Sequence, residues 1–280
     1  MIEKKYETAN NRPLVTIVIC TYNGEVFLRE TLESVLSQTY SNIEVVVVDD
    51  GSKDGTPAII HEYAKKYLNI RPFFKVNGGL PLARNFAFAQ SRGDWIAIID
   101  QDDLCYPTRI ARQIEIAFEN PTAELIFCDT HFINENGTII GNHFSKFNLP
   151  EKFIPKILAG NLLLQVGCYV DSEAWFMRRE VFEKVGLLDQ NLSYACDYEY
   201  FIRVGLVVDF AYTKEILAAW RVHGNQATAT APNIRQQVRG VYKRFFWSPA
   251  VSWRTRALIL KNLARSFAGQ WRDQILRRAI

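Results

Sequence analysis

The sequence of 280 residues contains no apolar run that approaches the roughly 18 residues needed to cross a bilayer. Its polar start, MIEKKYETANN, also lacks the apolar stretch of a secretory signal peptide. We therefore expect a cytoplasmic protein. If its C-terminal part binds lipid, we expect it at the inner face of the cell membrane.

Three other common sequence patterns are missing. The five cysteines are scattered and show none of the short paired spacings of zinc sites or secreted disulfide frameworks, so we expect reduced, mostly buried thiols. Neither Gly-x-Gly-x-x-Gly nor Gly-x-x-x-x-Gly-Lys occurs. A bound nucleotide would therefore be held by a metal ion and by side chains.

The charge is distributed unevenly along the chain. The net charge is +3, but residues 232–280 contain eleven Lys and Arg against one acid, Asp273, and so carry +10. Residues 1–231 must then carry about −7 by difference. We predict one domain over 1–231 and a basic helical tail over 232–280.

The domain alternates between strand patterns and helix patterns. Buried strand patterns occupy residues 14–23, 45–48, 95–100 and 123–132, and segments with helical spacing lie between them. Such alternation is typical of a sheet whose parallel strands are joined by crossover helices. The predicted fold class is α/β, with a mixed, mainly parallel sheet flanked by helices.

One strand pattern runs directly into a group of acids, Asp100, Asp102 and Asp103. Carboxylates beside an apolar strand are costly unless a cation neutralises them, and ligands bind at the carboxyl ends of parallel strands. Oxygen ligands at this density suit Mg²⁺ or Mn²⁺. A solvated acidic turn is an equally good interpretation of this segment alone.

A second strand pattern also ends in paired acids, Asp49 and Asp50. Asp50 could accept a hydrogen bond from the imide N–H of a base, while Gly51 and Gly55 permit a tight turn. Taken alone, this segment is better explained as an Asp-Gly-Ser turn without a ligand. Together, the two acidic strand ends favour a shared ligand site.

Six segments, in this order, resemble glycosyltransferase family 2, whose members use the GT-A fold: VTIVICTYN, VVVVDDGSKDGT, NGGLPLARN, IDQDD, CDYEYFIR and WRVHGNQAT. They span residues 14–228, and their order and spacing are more specific than any one of them. The resemblance implies a nucleotide-sugar-binding half over 14–130 and an acceptor half over 150–228.

The resemblance also implies roles for the residues that match its donor-binding motifs. Tyr22 and Asp50 would bind the nucleoside, and Arg84 would lie near the pyrophosphate or the sugar of the donor. In the Asp-x-Asp motif, Asp100 would lie near the ribose and the metal. Asp103 would contact the donor sugar or fix the loop.

Two further residues are implied as metal ligands. Asp102, the second acid of the Asp-x-Asp motif, would bind Mn²⁺ or Mg²⁺ directly. His223 resembles the late histidine that some members bring to the metal or to the diphosphate. A histidine in a loop can also be structural or solvated.

The resemblance places the catalytic base at Asp197. The family usually has a Glu-Asp pair here, whereas this chain has Cys196 before the aspartate. The surroundings that set the pKa of Asp197 therefore differ from those in the family. Alternatively, Asp197 only caps the helix that follows.

The implied reaction is inverting transfer of a hexosyl or N-acetylhexosaminyl group from a nucleotide-sugar, with UDP favoured by resemblance. The acceptor would be the hydroxyl of a growing glycan or of a lipid-linked glycan in cell-surface polysaccharide synthesis. A metal-dependent sugar-phosphate nucleotidyltransferase and a non-catalytic nucleotide-sugar binder are the alternatives. The retained Asp197 argues against the binder.

The tail has a basic amphipathic pattern, in which four apolar residues recur among arginines: Trp253, Leu260, Phe267 and Trp271. This face would rest on anionic lipid, or it would pack on the domain or form a dimer, and amphipathicity alone does not distinguish these cases. We expect no nucleic-acid partner, because no nucleic-acid motif accompanies the basic residues.

Overall fold

The computed structural model describes residues 12–150, 152–224, 226 and 233–264, and the statements below concern these residues. The strands are β1 (Val15–Thr21), β2 (Ile43–Asp49), β3 (Ile70–Phe74), β4 (Trp95–Asp100), β5 (Leu104–Cys105), β6 (Ala123–Ile133), β7 (Ile139–Asn142), β8 (Phe153–Ile154), β9 (Phe176–Arg178) and β10 (Asp209–Arg221). The helices are α1 (Leu28–Leu36), α2 (Thr56–Lys66), α3 (Leu80–Gln90), α4 (Arg109–Glu119), α5 (Leu158–Val166), α6 (Val181–Val185), α7 (Cys196–Gly205), α8 (Ile234–Phe246) and α9 (253–264).

The strands form one mixed sheet in the order β3-β2-β1-β4-β9-β6-β10-β5, with β7 paired to β6 and β8 paired to β10. The pairs among β1, β2, β3 and β4 are parallel, as is the pair of β6 with β10. The short β9 lies antiparallel between β4 and β6. The α/β fold class with a mainly parallel sheet is therefore confirmed.

The register of the parallel strands brings their acidic ends together. Residue 21 at the end of β1 is opposite Asp49 of β2, and Cys20 of β1 is opposite Asp100 of β4. The strands are buried on both faces, as expected for a parallel sheet covered by helices. The two acidic strand ends consequently lie on either side of the end of β1.

A second junction connects the acidic loop to the end of β10. Directly after Asp103, β5 pairs antiparallel with β10, with Leu104 opposite Ala219 and Cys105 opposite Ala218. Residues that follow Ala219 are therefore carried back along the acidic loop. This pairing places Arg221 and His223 beside Asp102 and Asp103.

Helices α5 and α7 pack closely because two glycines face each other. A Cβ on Gly205 would lie 2.6 Å from the backbone nitrogen of Gly160, and a Cβ on Gly160 would lie 2.6 Å from Leu206 Cγ. The close contact fixes α7 against the domain. Its first turn carries Asp197.

The described part of the tail packs on the domain through one face. Val241, Phe245, Val251 and Ile259 belong to the same core cluster as α5 and α7. Gln237 Oε1 accepts hydrogen bonds from two backbone amides just before α7. Phe267 and Trp271 lie outside the described residues.

Two expectations about the chain can be compared with the structure. Cys168 is partly exposed, whereas the other four cysteines are buried, and all five are free thiols, which confirms the prediction for them. Among the described helices, none combines the length and the apolarity that crossing a bilayer requires.

Candidate active site

Two residues predicted as metal ligands lie side by side. His223 Nε2 is 2.7 Å from Asp102 Oδ2. Two ligands of one divalent ion have donor atoms about 3 Å apart when each is about 2.1 Å from the metal. A neutral imidazole and a carboxylate are both suitable for Mn²⁺. The residues present therefore fit the ion that the motif implies.

Arg221 holds the acidic loop and was missed by sequence reasoning. Its side chain is almost fully buried, and its Nε donates to the backbone carbonyl of Asp102 at 2.8 Å. Its backbone N–H donates to Asp103 Oδ1 at 2.7 Å. Glu30 accepts from the same guanidinium at 2.7 Å. The position of Arg221, two residues before His223, was the only available signal.

A second group of acids lies behind this pair. One carboxylate oxygen from each of Asp100, Asp103 and Glu173 lies within 4.8 Å of the others, and Asp103 Oδ2 is buried without a hydrogen-bond partner among the described residues. Burial, and then the charges of neighbouring acids, raises the pKa of Asp103 and that of Glu173 well above their usual range. A nearby cation would reverse this effect.

The same environment acts on Asp102. Burial, followed by the negative charge of Asp100, raises the pKa of Asp102, whereas His223 acts to lower it. The loop therefore concentrates more negative charge than its own cations neutralise, as expected of a cation-binding site. Glu173 was missed because it belongs to none of the six segments that resemble the family, and it lies in a turn just before β9.

Arg84 connects the acidic strand end to the predicted base. Its side chain is only 1% exposed, and one guanidinium nitrogen donates to Asp100 Oδ1 at 2.6 Å. The other terminal nitrogen forms an ion pair with Asp197 Oδ1. Burial opposes the charged form of Arg84, but the two carboxylates raise its pKa well above the usual value. A planar, permanently charged fork is suited to joining two carboxylates.

Both carboxylate oxygens of Asp197 accept hydrogen bonds. Ser172 Oγ donates to Asp197 Oδ2 at 2.8 Å, and Arg84 donates to Oδ1. Burial acts to raise the pKa of Asp197, but the Arg84 charge and these hydrogen bonds lower it overall. The carboxylate is therefore ionised at neutral pH. Ser172 was also missed by sequence reasoning.

The surroundings of Asp197 resolve two questions left open by the sequence. The N-cap of α7 is Ala195, and no side chain caps this helix, so the alternative that Asp197 is only a cap is wrong. Cys196 is buried, and its Sγ lies 3.7 Å from Asp197 Oδ1. Burial raises the pKa of the Cys196 thiol, which remains protonated and can donate weakly to the aspartate.

The predicted nucleoside residues lie at the adjoining strand ends. Tyr22 is exposed, and its backbone N–H donates to Gln101 Oε1 at 2.9 Å. Asp50 is buried and accepts from the backbone amides of Gly78 and Gly79 and from Lys75. Asp50 thus fixes the turn before α3. Recognition of a base by Tyr22 and Asp50 stays a prediction.

Gln101, the middle residue of the Asp-x-Asp motif, connects the end of β4 to the end of β1. Its Oε1 accepts from Thr21 Oγ1 at 2.6 Å as well as from the Tyr22 amide. A Cβ on Gly24 would lie 2.4 Å from the same oxygen, so a larger residue at position 24 would displace the Gln101 amide from this position. This role was not predicted, because the motif leaves its middle position unspecified.

Comparisons with known proteins identify the family of the chain. The family model described as "Glycosyl transferase family 2" matches residues 16–186. An uncharacterized glycosyltransferase of Rickettsia typhi is 33% identical over 235 residues, which cover 83% of this chain and 71% of the relative.

Solved structures show the same fold at low identity. The chain is similar to Staphylococcus aureus TarS in complex with UDP-GlcNAc, with a TM-score of 0.69, 18% identity, and coverage of 90% of this chain and 72% of that chain. It is also similar to the mannosyltransferase PcManGT of Pyrobaculum calidifontis in complex with GDP-Man and Mn²⁺. There the TM-score is 0.66 at 18% identity, with coverage of 91% of this chain and 70% of that chain.

The fold and the family define a glycosyltransferase with a GT-A fold that uses a nucleotide-sugar donor. The chain belongs to glycosyl transferase family 2, because the family model matches more than half of it and the R. typhi relative exceeds 30% identity. The resemblance inferred from the six segments is confirmed.

Proposed function

We propose that this enzyme transfers a sugar, with inversion, from a UDP-sugar to an acceptor hydroxyl, with Asp197 as general base and Mn²⁺ or Mg²⁺ as cofactor. The observation that carries the proposal is the bridge made by Arg84 between Asp100 and Asp197. Through this bridge a single guanidinium group joins Asp197, the proposed base, to Asp100 at the strand end where the donor would bind.

Asp102 and His223 would hold the metal, and Asp100 and Asp103 would complete its acidic surroundings. A bound divalent cation would supply charge stabilisation for the departing diphosphate. Arg84 would lie beside the donor pyrophosphate or its sugar. Its two ion pairs hold its guanidinium in place before a donor arrives, and positioning of this kind lowers the cost of charge stabilisation.

In the proposed step, the acceptor oxygen forms a bond to the anomeric carbon as the bond between that carbon and the diphosphate oxygen breaks. The electron pair leaves with the diphosphate, and the acceptor proton passes to a carboxylate oxygen of Asp197. Attack from the face opposite the leaving group inverts the anomeric centre. Asp197 Oδ2 is the natural acceptor of this proton, since Oδ1 is paired with Arg84.

The lowered pKa of Asp197 affects the timing of this step. A weakly basic carboxylate does not remove the proton of a free hydroxyl in advance, so the proton is transferred while the new bond forms. Ser172 holds Oδ2 in place and stabilises the ionised form. Asp197 is therefore ionised at neutral pH but accepts the proton only in the transition state.

The donor and the acceptor are proposed more coarsely. TarS was solved with UDP-GlcNAc and PcManGT with GDP-Man and Mn²⁺, so related folds bind more than one nucleotide. We favour UDP from the resemblance, with a hexosyl or N-acetylhexosaminyl group. The proposed acceptor is a glycan, either growing or lipid-linked, in cell-surface polysaccharide synthesis.

The proposed organisation follows the sequence prediction. Residues 1–231 form the catalytic domain, with donor binding in 14–130 and acceptor binding in 150–228, and residues 232–280 form a basic tail. The proposed location is the cytoplasm, at the inner face of the membrane. This location would place the enzyme beside a lipid-linked acceptor.

A screen of UDP-, GDP- and dTDP-sugars tests the donor. A ligand that binds only the native state raises the thermal midpoint, and we expect the largest increase from a UDP-sugar with Mn²⁺. Product analysis tests the reaction. Release of UDP supports glycosyl transfer, whereas release of pyrophosphate from a nucleoside triphosphate and a sugar phosphate would show a nucleotidyltransferase instead.

A further inference from the structure

Both C-terminal helices expose apolar and basic side chains, which together are called the outer face of α8 and α9 here. On α9 the exposed residues recur at helical spacing along one stripe: Trp253, Ala257, Leu260, Lys261 and Ala264. Trp253 is 73% exposed and Leu260 is 55% exposed. Trp247, at the end of α8, is 79% exposed. Side chains of this size are normally buried, so this surface is available for another partner.

The inner face of the same helices is already packed. Val241 and Phe245 of α8, and Ile259 of α9, lie in the domain core. Asn161 on α5 accepts from the backbone N–H of Ser252 at 3.0 Å, and Thr255 Oγ1 donates to Asn161 at 2.6 Å. These contacts fix the helices, so the outer stripe is not the surface that attaches the tail to the domain.

The charge of this surface has one sign. Residues 233–264 contain seven Lys and Arg and no Asp or Glu. Arg244 is neutralised by Asp189 and Glu199 of the domain. Lys243, Arg254 and Lys261 are exposed beside the apolar residues, and the Arg254 guanidinium lies 5.4 Å from the centre of the Trp253 ring.

We propose that the outer face of α8 and α9 docks on the surface of an anionic lipid bilayer, with Trp247, Trp253 and Leu260 entering the interface and the cations facing lipid phosphates. Exposed tryptophans with neighbouring basic residues are suited to the boundary between headgroups and acyl chains. Each cation near such a surface strengthens binding.

The charge pattern argues against a dimer through this face. In a two-fold interface the same patch meets itself, so its cations would face cations with no acid between them. A bilayer with anionic headgroups supplies negative charge for the cations of the face and an apolar layer for its exposed tryptophans and leucine.

Point variants on the outer face test the proposal without removing core residues, as deletion of the tail would. The test variants are Trp247→Ser/Trp253→Ser/Leu260→Ser and Lys243→Glu/Lys261→Glu. The matched controls are Leu68→Ser, at a leucine that is 99% exposed elsewhere, and Lys65→Glu/Lys214→Glu, at two exposed lysines. Circular dichroism and the thermal midpoint verify that each variant folds.

The full chain should float with phosphatidylcholine vesicles that contain roughly one third phosphatidylglycerol, and binding should weaken in high salt. It should not float with phosphatidylcholine alone. The triple variant and the charge-reversed variant should each lose on the order of tenfold in partitioning, because both apolar insertion and charge contribute. The controls should bind like the native chain.

Three results would overturn the proposal. The first is that the native chain does not float with anionic vesicles. The second is that the triple variant floats as well as the native chain. The third is that sedimentation detects a dimer of the native chain and only monomers of the outer-face variants. This result would assign the face to contact with a second copy of the chain. None of these measurements depends on the donor, the acceptor or the catalytic activity.

Discussion

His223 Nε2 lies 2.7 Å from Asp102 Oδ2, although 121 positions separate the two residues. The contact exists because β5 follows the acidic loop and pairs with β10, which ends just before His223. Arg221 reinforces it by holding the backbone of Asp102. Asp102 and His223 were each predicted to be a metal ligand, and their contact makes this one prediction, that both bind the same ion.

Asp102→Asn and His223→Ala should each weaken Mn²⁺-dependent donor binding by about tenfold or more, since each removes a ligand of the same ion. The double variant should cost less than the sum of the two single losses in binding free energy, because sites that share a partner are not additive. Calorimetry with a UDP-sugar, with and without Mn²⁺, measures the cycle.

The exposed His61 provides the control for this cycle, because His61→Ala removes an imidazole that does not contact the acidic loop. It should bind the donor like the native enzyme. If the losses in donor-binding free energy of Asp102→Asn and His223→Ala were strictly additive, the two residues would act independently. That result would refute a shared ion.

Asp197→Asn should lower kcat by about 10²–10⁴-fold, which is the usual contribution of general-base catalysis. Donor affinity should change little, because the amide keeps the shape of the side chain. Initial rates and calorimetry on the same preparation measure the two quantities. Glu119→Gln, at an exposed acid, is the matched control. An Asn variant with native turnover would exclude Asp197 as the base.

Ser172→Ala should move the acidic limb of the kcat/KM profile to higher pH. The Ser172 hydroxyl helps to lower the pKa of Asp197, so its removal raises that pKa and the base becomes protonated at a higher pH. The rate plateau above this limb should fall only modestly, by about tenfold, since Arg84 still holds Oδ1.

The exposed Ser41 supplies the control for this profile, and Ser41→Ala should leave it unchanged. A lower plateau with an unmoved limb would mean that Ser172 only supports the local structure.

Without metal, the protein should become less stable as the pH rises above the ordinary pKa of a glutamate. The folded-state pKa of Glu173 is raised, so the unfolded chain releases this proton above its ordinary pKa of about 4.3 while the folded chain retains it. Because only the unfolded chain releases the Glu173 proton in this range, rising pH favours unfolding. The contribution of Glu173 to the free energy of unfolding is therefore complete below its pKa in the unfolded chain. It declines as the pH rises toward its pKa in the folded protein.

In EDTA, Glu173→Gln should flatten this decline and raise the thermal midpoint at pH 8 by roughly 2–4 °C, the shift expected for about 1 kcal/mol in a chain of this size. Mn²⁺ should restore much of the lost stability in the native protein, because the cation neutralises the neighbouring acids. An identical decline in the Gln variant would show that Glu173 does not retain a proton in the folded state.

Arg84→Ala should destabilise the protein by about 3–5 kcal/mol, because it leaves Asp100 and Asp197 without their buried cation. Arg84→Lys should recover part of this loss but not the donor affinity, since an ammonium cannot join two carboxylates as a planar fork does. Urea unfolding and donor titration measure the two effects. Equal donor binding by the Lys variant would contradict the bridging role.

The sequence alone predicted the alternation of strands and helices in the first half, although not the order of the strands. Runs such as residues 45–48 and 95–99 are buried on both faces, as is typical of strands inside a parallel sheet. Because parallel strands end at one edge, the acids after them could be placed together before any contact was known. Asp102, Asp197 and His223 were identified from motifs that resemble the family.

The residues that support this site were not predictable in the same way. Ser172 and Glu173 belong to no recognised motif, and Arg221 lies in the WRVHGNQAT segment, where the resemblance pointed only to His223. Their roles depend on β9 inserting antiparallel between β4 and β6, and on the pairing of β5 with β10.

Local sequence thus determined which segments become strands and helices and where carboxylates follow them, because burial and periodicity act over a few residues. Only the tertiary structure decided that Arg84 joins Asp100 to Asp197 and that Trp253 faces outward while Ile259 faces the core. These arrangements depend on sheet order and helix packing, which are set by contacts between residues far apart in the chain.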